Sequence, residues 1–96
     1  MNKYSIKKLP RDIRLELADK HKKLRKQQGL SQSELAERSG VSLGSLKRFE
    51  TKGQVSLESF LKLAFVLGRL SDFESVLNPE QNLQHIEKLF SSKKKN

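Results

Sequence analysis

Apolar residues recur at intervals of three and four over most of the chain, in short segments that end at glycine or proline. This spacing is typical of amphipathic helices, so the pattern predicts an all-α protein. The most informative stretch runs from Leu30 to Gly53, where two short apolar repeats are separated by Ser39 and Gly40. We interpret this stretch as a helix, a tight turn and a second helix.

The first of these helices has a start signal at Ser31. Glu34 follows three residues later, which is the spacing of a capping box. In that motif the serine hydroxyl accepts from the Glu34 amide, and the glutamate carboxylate accepts from the Ser31 amide. Leu30 and Leu35 flank the cap at the spacing of a hydrophobic staple.

The second helix has a similar start. Ser42 can cap it, and Val41 before the cap can pack on Leu46. Between the two helices, Gly40 can take the positive φ that a sharp helix stop requires.

A longer helix precedes this pair. It begins near Pro10, which is tolerated in a first turn, or at an Asp12 cap, and it continues to Gln28 before Gly29 ends it. Its apolar positions fall near one face: Ile13, Leu17, Ala18 and Leu24.

Two further helices follow the pair. Ser56 caps a fourth helix that Gly68 ends, and Leu70 opens a short fifth helix that carries Phe73, Val76 and Leu77. The fourth helix has a broad apolar face: Phe60, Leu61, Ala64, Phe65 and Leu67. The pattern assigns the three phenylalanines of these helices to the core.

Asn78-Pro79 marks a boundary, because proline disfavours helical backbone before it and can start a new helix after it. Residues 80–90 then carry a second apolar stripe at helical spacing, formed by Leu83, Ile86, Leu89 and Phe90. Monomers rarely leave such a stripe bare, so it packs back on the domain or contacts a second subunit or a partner protein. The last six residues are typical of a disordered basic tail.

Composition limits the class of protein. The chain has 96 residues, enough for one domain with a small core, and no cysteine, which excludes disulfides and thiolate metal sites. No apolar run approaches the length of a membrane span, and the first ten residues lack the apolar core of a signal peptide. We therefore expect a cytoplasmic protein without a membrane partner.

Positive charge is concentrated in one half of the chain. The net charge is +9, and residues 1–54 contain fourteen Lys and Arg against six Asp and Glu. Such a distribution favours binding to a polyanion through counterion release. The alternative is that the lysines only solubilise the surface.

The first ten residues are basic and lie before the first helix. Lys3, Lys7 and Lys8 surround Tyr4, Ile6 and Leu9. Three interpretations are open: a basic arm that reaches along DNA, a frayed terminus, or a segment that docks on a partner protein.

The helix-turn-helix stretch resembles the phage repressor and Cro family of DNA-binding domains, also called Xre-type regulators. The resemblance covers roughly residues 24–77 and implies a five-helix fold. We divide the chain into a basic N-terminal extension at residues 1–11, the helix-turn-helix domain at residues 12–77, and an extra C-terminal helix with a basic tail at residues 78–96. These positions carry the resemblance: Gln32, Leu35, Ala36, Gly40, Val41, Leu46, Phe49 and Glu50.

The resemblance implies how double-stranded DNA is read. The second helix of the motif enters the major groove, and base contacts fall at the positions of Leu43, Gly44 and Arg48, with Lys47 close by. Arg48 is the strongest candidate, because a guanidinium can donate two hydrogen bonds to guanine, which is worth about 1 to 3 kcal/mol of discrimination. Leu43 can meet a thymine methyl. Gly44 departs from the long polar side chain often found there.

Phosphate contacts are expected at both helix starts of the motif and in the loop after it, from Gln32, Ser42, Ser45 and Lys52. The resemblance also implies that Arg25 pairs with Glu50, a structural contact that closes the recognition helix. Direct DNA contact by Arg25 is the alternative.

One recognition helix covers only a few base pairs, so we expect a homodimer on a pseudo-palindromic operator. The interface, or a contact to another protein, is assigned to the fifth helix or the C-terminal helix, through Phe73, Val76, Leu77, Leu83, Ile86 and Phe90.

Three functions fit the residues. The first is a prokaryotic transcriptional repressor that controls its own operon and associates with the nucleoid when bound. The second, compatible with it, is a HipB-type antitoxin that also binds a HipA-like kinase toxin. The third is a protein interaction module that keeps the fold without binding DNA.

Enzymatic chemistry is the weakest interpretation. His21 and His85 are the only histidines, no paired carboxylates or nucleophile motif surround them, and both are assigned to the exposed surface. No cofactor and no metal is predicted.

Overall fold

The computed structural model describes residues 7–79, and this part of the chain is helical without strands. The predictions for residues 1–6 and 80–96, including the C-terminal helix, lie outside the described residues. Four α-helices are followed by one 3-10 turn. Their bounds are α1 Pro10–Gln27, α2 Gln32–Ser39, α3 Leu43–Lys52, α4 Leu57–Val66 and the 3-10 turn Leu70–Phe73.

The predicted capping box of α2 is confirmed. The Glu34 amide donates to the Ser31 hydroxyl at 3.0 Å, and the Ser31 amide donates to the Glu34 carboxylate at 2.8 Å. Gly40 ends α2 with a φ of 79°, in the left-handed region where glycine is favoured. Local hydrogen bonding therefore sets both ends of this helix.

Serine also caps the two following helices, as predicted. The Ser42 hydroxyl accepts from the Ser45 amide at 3.1 Å, and the Ser56 hydroxyl accepts from the Ser59 amide at 3.0 Å. Each bond satisfies one of the amides that a helix start leaves without an intrahelical partner.

α1 begins at Pro10, so the predicted domain boundary at residue 12 falls inside this helix. Asp12 is not the cap residue; its carboxylate accepts from the Leu9 amide at 2.8 Å, which satisfies the backbone one residue before the helix. The helix ends at Gln27, one residue earlier than expected, and Gly29 follows with a φ of 75°.

The core lies where α1 packs on α3 and where α2 packs on both α3 and α4. Leu35, Leu46, Phe49 and Leu63 are its largest fully buried side chains. Burial of one such side chain contributes about 1.5 to 3 kcal/mol. Leu46 and Phe49 therefore anchor α3 in the core.

The assignment of Phe65 to the core is wrong. Phe65 is 69% exposed, whereas Leu63, which the pattern did not single out, is fully buried. Residues two positions apart in an α-helix are separated by about 200° around its axis, so Leu63 and Phe65 lie on opposite sides of α4. The packing of α4 on α2 buries the Leu63 side.

The other two phenylalanines extend the core in a chain of ring contacts. The Phe49 and Phe60 ring centroids are 5.0 Å apart, and those of Phe60 and Phe73 are also 5.0 Å apart, with the second pair edge to face. Both separations are in the range of favourable aromatic pairs.

The predicted fifth helix is a single 3-10 turn, Leu70–Phe73. Val76 and Leu77, which were assigned to it, lie beyond its end and are 57% and 95% exposed. Leu77 has a φ of 61°, and it is the one non-glycine residue with positive φ in residues 7–79. A left-handed leucine cannot continue a right-handed helix.

The loop after α3 makes a close contact with α1. Gly53 is buried, has a φ of 67°, and leaves room for no side chain: a Cβ there would lie 3.0 Å from the Arg14 carbonyl carbon and oxygen. The Arg14 guanidinium donates to the Gly53 carbonyl at 3.3 Å and to the Lys52 carbonyl at 3.4 Å. The C-terminal end of α3 is therefore fixed against the first half of α1.

Candidate nucleic-acid interface

α3 buries one face and exposes the other. Leu46 and Phe49 are buried, while Gly44, Lys47 and Arg48 are exposed together on the opposite side. Two exposed cations on one helix face suit the polyanionic surface of a nucleic acid. Three of the four predicted base-reading residues thus share the outward face of α3.

Leu43, the fourth, differs from the expectation that it faces outward. It is half-buried and packs against the core. Leu43 precedes Leu46 by three positions, and residues three apart share a helix face. Part of the Leu43 side chain therefore supports the core instead of the outer surface.

Gly44 lies in open surroundings. A Cβ at this position would meet no atom within 4 Å, and its φ is not positive, so the fold does not require a glycine there. The absence of a side chain at this point lets another molecule approach the first turn of α3 closely.

The predicted phosphate-contacting residues fall into two groups. Ser42, Ser45 and Lys52 are exposed around α3, although the Ser42 hydroxyl also caps the helix and donates to the Ser45 hydroxyl at 2.9 Å. Gln32, in contrast, is half-buried, and its side-chain amide donates to the Glu50 carboxylate at 3.0 Å. That bond holds the amide of Gln32 inward and leaves its carbonyl oxygen for other contacts.

A cleft separates Arg48 from the start of α4. It has a volume of about 240 Å³ and its lining includes Ser45, Arg48, Gln54, Ser56 and Ser59. The guanidinium and the hydroxyl groups are donors of the kind that contact phosphate oxygens. The cleft extends the polar outer surface of α3 onto the loop and the next helix.

Behind this surface, Arg25 and Glu50 form the ion pair that the resemblance implied. The Arg25 Nε and Nη2 atoms donate to the two oxygens of the Glu50 carboxylate, each at 2.9 Å. The Arg25 Nη1 atom donates to the Leu30 carbonyl at 2.8 Å. Because both side chains are almost fully buried, this bidentate pair ties α3 to α1 and to the start of α2.

His21 completes the network, and its assignment to the exposed surface is wrong. The residue is 5% exposed, and its Nδ1 atom donates to Glu50 Oε2 at 2.8 Å. It precedes Arg25 by four positions, so it lies on the same face of α1, and this spacing was the signal that could have located it. Its ring also packs edge to face on Phe49, with centroids 4.9 Å apart.

The network favours neutral His21 and ionised Glu50. Burial, opposed in part by the Glu50 carboxylate, lowers the pKa of His21 below its ordinary value of 6.5. Burial raises the pKa of Glu50, but the hydrogen bonds from Arg25 and Gln32 and the Arg25 charge outweigh it, so that this pKa lies below 4.5. The buried Nε2 atom of His21 has no hydrogen-bond partner in the described residues, which also disfavours a proton there.

Within residues 7–79, no helix is long and apolar enough to cross a membrane. The same residues contain no cluster of three or more histidine and acidic side chains suited to a metal ion.

Comparisons with known proteins agree with this geometry. The helix-turn-helix family model matches residues 22–73, which span α2, α3, α4, the 3-10 turn and the Arg25 to Glu50 pair. Searches of curated proteins and of solved structures find no match. The match covers more than half of the chain, and the matched family consists of DNA-binding regulators rather than enzymes. The protein therefore belongs to the Xre/Cro-type helix-turn-helix family of DNA-binding regulators.

Proposed function

We propose that this protein is a sequence-specific transcriptional repressor that reads the major groove of double-stranded DNA with α3. The observation that carries the proposal is the outward face of α3, where Gly44, Lys47 and Arg48 are exposed together above a rigidly held helix. Arg48 reads a base, and Lys47 adds a contact beside it. Partly buried Leu43 offers its exposed edge to a thymine methyl.

Ser42, Ser45 and Lys52 contact phosphates through their side chains in this arrangement. Gln32 does so through its backbone amide in the first turn of α2, because its side-chain amide donates to Glu50. The helix starts aim unpaired amides outward, which suits phosphate oxygens. These contacts set the register of α3 in the groove, while the base edges supply specificity.

Replacing Arg48 with Ala tests the base-reading role. An operator is first selected from a random duplex library, and affinities for it and for an unrelated duplex are measured by fluorescence anisotropy. Loss of one bidentate pair costs about 1 to 3 kcal/mol on the selected site and much less on unrelated DNA. An equal loss on both duplexes would remove Arg48 from base reading.

Two control variants sharpen this test. Lys52→Ala should weaken binding to all duplexes similarly and reduce the slope of log affinity against log salt by about 1. Lys62→Ala, at an exposed position of α4 that pairs with Glu58 at 3.3 Å, should leave both affinities unchanged. Binding that does not respond to salt would instead support the alternative, an interaction module that has kept the fold without specific DNA binding.

We further propose a homodimer on a pseudo-palindromic operator, because a single α3 covers only a few base pairs. Half-sites about 34 to 36 Å apart would place both recognition helices on one side of the duplex. Of the residues predicted for the interface, Phe73 is half-buried, Val76 and Leu77 are exposed, and Leu83, Ile86 and Phe90 lie outside the described residues. Sedimentation of the complex and the spacing of the selected half-sites test this proposal.

Autorepression and a HipB-type antitoxin role remain predictions within this function. The antitoxin role would be supported by a gene for a HipA-like kinase toxin next to the gene for this protein. It would also be supported by a stable complex between the two purified proteins. Repression of the chain's own promoter in a reporter assay, lost in Arg48→Ala, would support autorepression.

A further inference from the structure

An apolar groove lies between α1, α4 and the 3-10 turn, away from α3. Its volume is about 480 Å³, and no residue of α3 lines it. The apolar lining comes from all three elements and includes Leu17, Leu24, Phe60, Ala64, Phe73 and Val76. This groove is separate from the proposed DNA-binding surface.

We propose that residues 80–90 of the same chain dock in this groove and place the stripe of Leu83, Ile86 and Phe90 against its apolar lining. The stripe has the spacing of one helix face, which suits an apolar groove lined by helices. This docking is a separate inference from DNA reading, because it involves a different surface and no nucleic acid. It assigns the stripe to the groove of its own chain, so the proposed homodimer would use other contacts.

The position of the segment along the chain supports the proposal. Val76 forms part of the groove wall, and the segment begins four residues later. Four residues reach at most about 14 Å even when fully extended, so residue 80 starts near the groove. A segment tethered this closely has an effective concentration in the millimolar range, well above that of a second copy in dilute solution.

The backbone at the start of the segment also supports it. Leu77 is 95% exposed and has a φ of 61°, a conformation that a leucine adopts only where other contacts compensate for it. The Leu77 side chain makes no buried contact that would compensate for this backbone strain. In the proposed docking, this left-handed backbone would belong to a turn that directs residues 80–90 back to the groove.

Charge complementarity gives a third argument. Lys20, Lys23 and Arg69 line the groove together with a single acidic residue, Asp72. Residues 80–90 carry two glutamates, Glu80 and Glu87, and one lysine. The segment is thus net acidic in a chain of net charge +9, and the groove rim is net basic.

Docking would also affect the recognition helix. The groove lining includes His21 and Phe60, and these side chains contact Glu50 and Phe49 of α3. A segment that covers the groove would exclude water from the His21 side of the network. Residues 80–90 would then act as a positioning element behind α3.

A cross-linking experiment on the full chain tests the proposal. The chain has no cysteine, so Lys20→Cys with Glu87→Cys introduces a single reactive pair at the groove rim and the flank of the stripe. A short bismaleimide should join this pair within one chain, giving a product of monomer mass. The matched control, Arg38→Cys with Glu87→Cys, places the first cysteine on α2, outside the groove lining, and should give little product.

Two results would overturn the assignment. Products of dimer mass from the groove pair would show that the groove takes the segment of a second copy. Equal yields from the groove pair and the control pair would show that the segment has no defined docking site.

Stripe variants supply a second readout. Adding Ile86→Glu to the groove pair should reduce the intrachain product several-fold and shift the methyl resonances of Leu17 and Leu24. Gln84→Glu adds the same charge on the opposite side of the predicted helix and should change neither. If both variants behave alike, the stripe does not face the groove. None of these readouts uses DNA, so their failure would leave the Arg48 experiment unaffected.

Discussion

The two sides of α3 differ in how strongly the rest of the molecule constrains them. The inner side places Leu46 and Phe49 in the core and gives Glu50 four hydrogen bonds from three partners. The outer side carries Gly44, Lys47 and Arg48, and within residues 7–79 the side chains of Lys47 and Arg48 make no hydrogen bond, although their carbonyls accept from the Thr51 hydroxyl. The inner side therefore fixes the position of α3, and the outer side presents side chains that can contact another molecule.

This division has a physical reason. A side chain that must meet DNA bases cannot be engaged in the fold, whereas the helix that carries it must not move. Preorganisation of a scaffold reduces the entropy lost on binding, so the buried ion-pair network behind α3 would favour the proposed DNA binding without any contact to DNA. Substitutions on the inner side should therefore change stability, and those on the outer side should change binding.

The largest effect is expected for Glu50→Ala. It leaves the Arg25 guanidinium and the His21 ring buried without their carboxylate partner, and loss of one member of a buried pair costs about 3 to 5 kcal/mol. Urea denaturation measures the free energy of unfolding. Arg48→Ala is the control on the outer side and should stay within about 0.5 kcal/mol of the parent chain. Similar losses for both variants would contradict the division between the two sides.

The next largest effect is expected for Gly53→Ala, at about 1 to 3 kcal/mol. The substitution adds a Cβ that would lie 3.0 Å from the Arg14 backbone, at a positive φ that alanine disfavours. Gly40→Ala has a similar φ of 79° but open space around it, so it isolates the conformational cost. If Gly53→Ala lowers the free energy of unfolding no more than Gly40→Ala does, α1 can move away from the added Cβ without destabilising the fold.

The His21 to Glu50 network predicts acid sensitivity. The pKa of His21 is lowered in the folded chain, so the unfolded chain binds the proton more readily. The stability that neutral His21 contributes is therefore fully present above pH 6.5. It is lost as the pH decreases from 6.5 to the pKa of His21 in the folded chain, and the loss is about 1.4 kcal/mol for each unit by which folding lowers this pKa. The lowered pKa of Glu50 adds a further loss below pH 4.5.

Urea denaturation between pH 7.5 and 5 tests this dependence. Replacing His21 with Asn removes the titrating ring and should flatten the profile between pH 6.5 and 5, whatever its effect at neutral pH. An unchanged slope in the variant would assign the acid sensitivity to other groups.

The smallest expected effect has the opposite sign. Gly44→Ala adds a better helix former to the exposed side of α3, where its Cβ meets nothing within 4 Å, and should stabilise the fold by about 0.5 to 1 kcal/mol. Affinity for the selected operator should fall if the backbone approaches DNA closely at Gly44. Thermal denaturation and anisotropy on the same variant separate the two effects.

The helix starts and stops could be predicted from the sequence because they depend on neighbours within four residues. Ser31, Ser42 and Ser56 cap their helices as expected, and Gly40 ends α2 with positive φ. Such signals are local hydrogen bonds and backbone preferences, which need no knowledge of the fold.

Two other features depend on which surfaces of the helices pack together, which local signals do not give. His21 is buried because the same face of α1 that carries Arg25 packs on Glu50, twenty-nine positions later in the chain. Phe65 is exposed because only one side of α4 packs on α2, although both sides are apolar. Periodicity locates an apolar face, but it does not decide which part of a wide face another helix covers.

The sequence by itself determined the helical class, the caps, the family resemblance and the outward position of Arg48, since each depends on residue type and spacing. Only the tertiary structure decided that His21 joins Arg25 at Glu50, that Leu43 partly serves the core, and that Gly53 must stay small against Arg14. These features depend on which surfaces meet when α1 packs on α3. That choice is a property of the whole packed core, where long-range contacts outweigh local preferences.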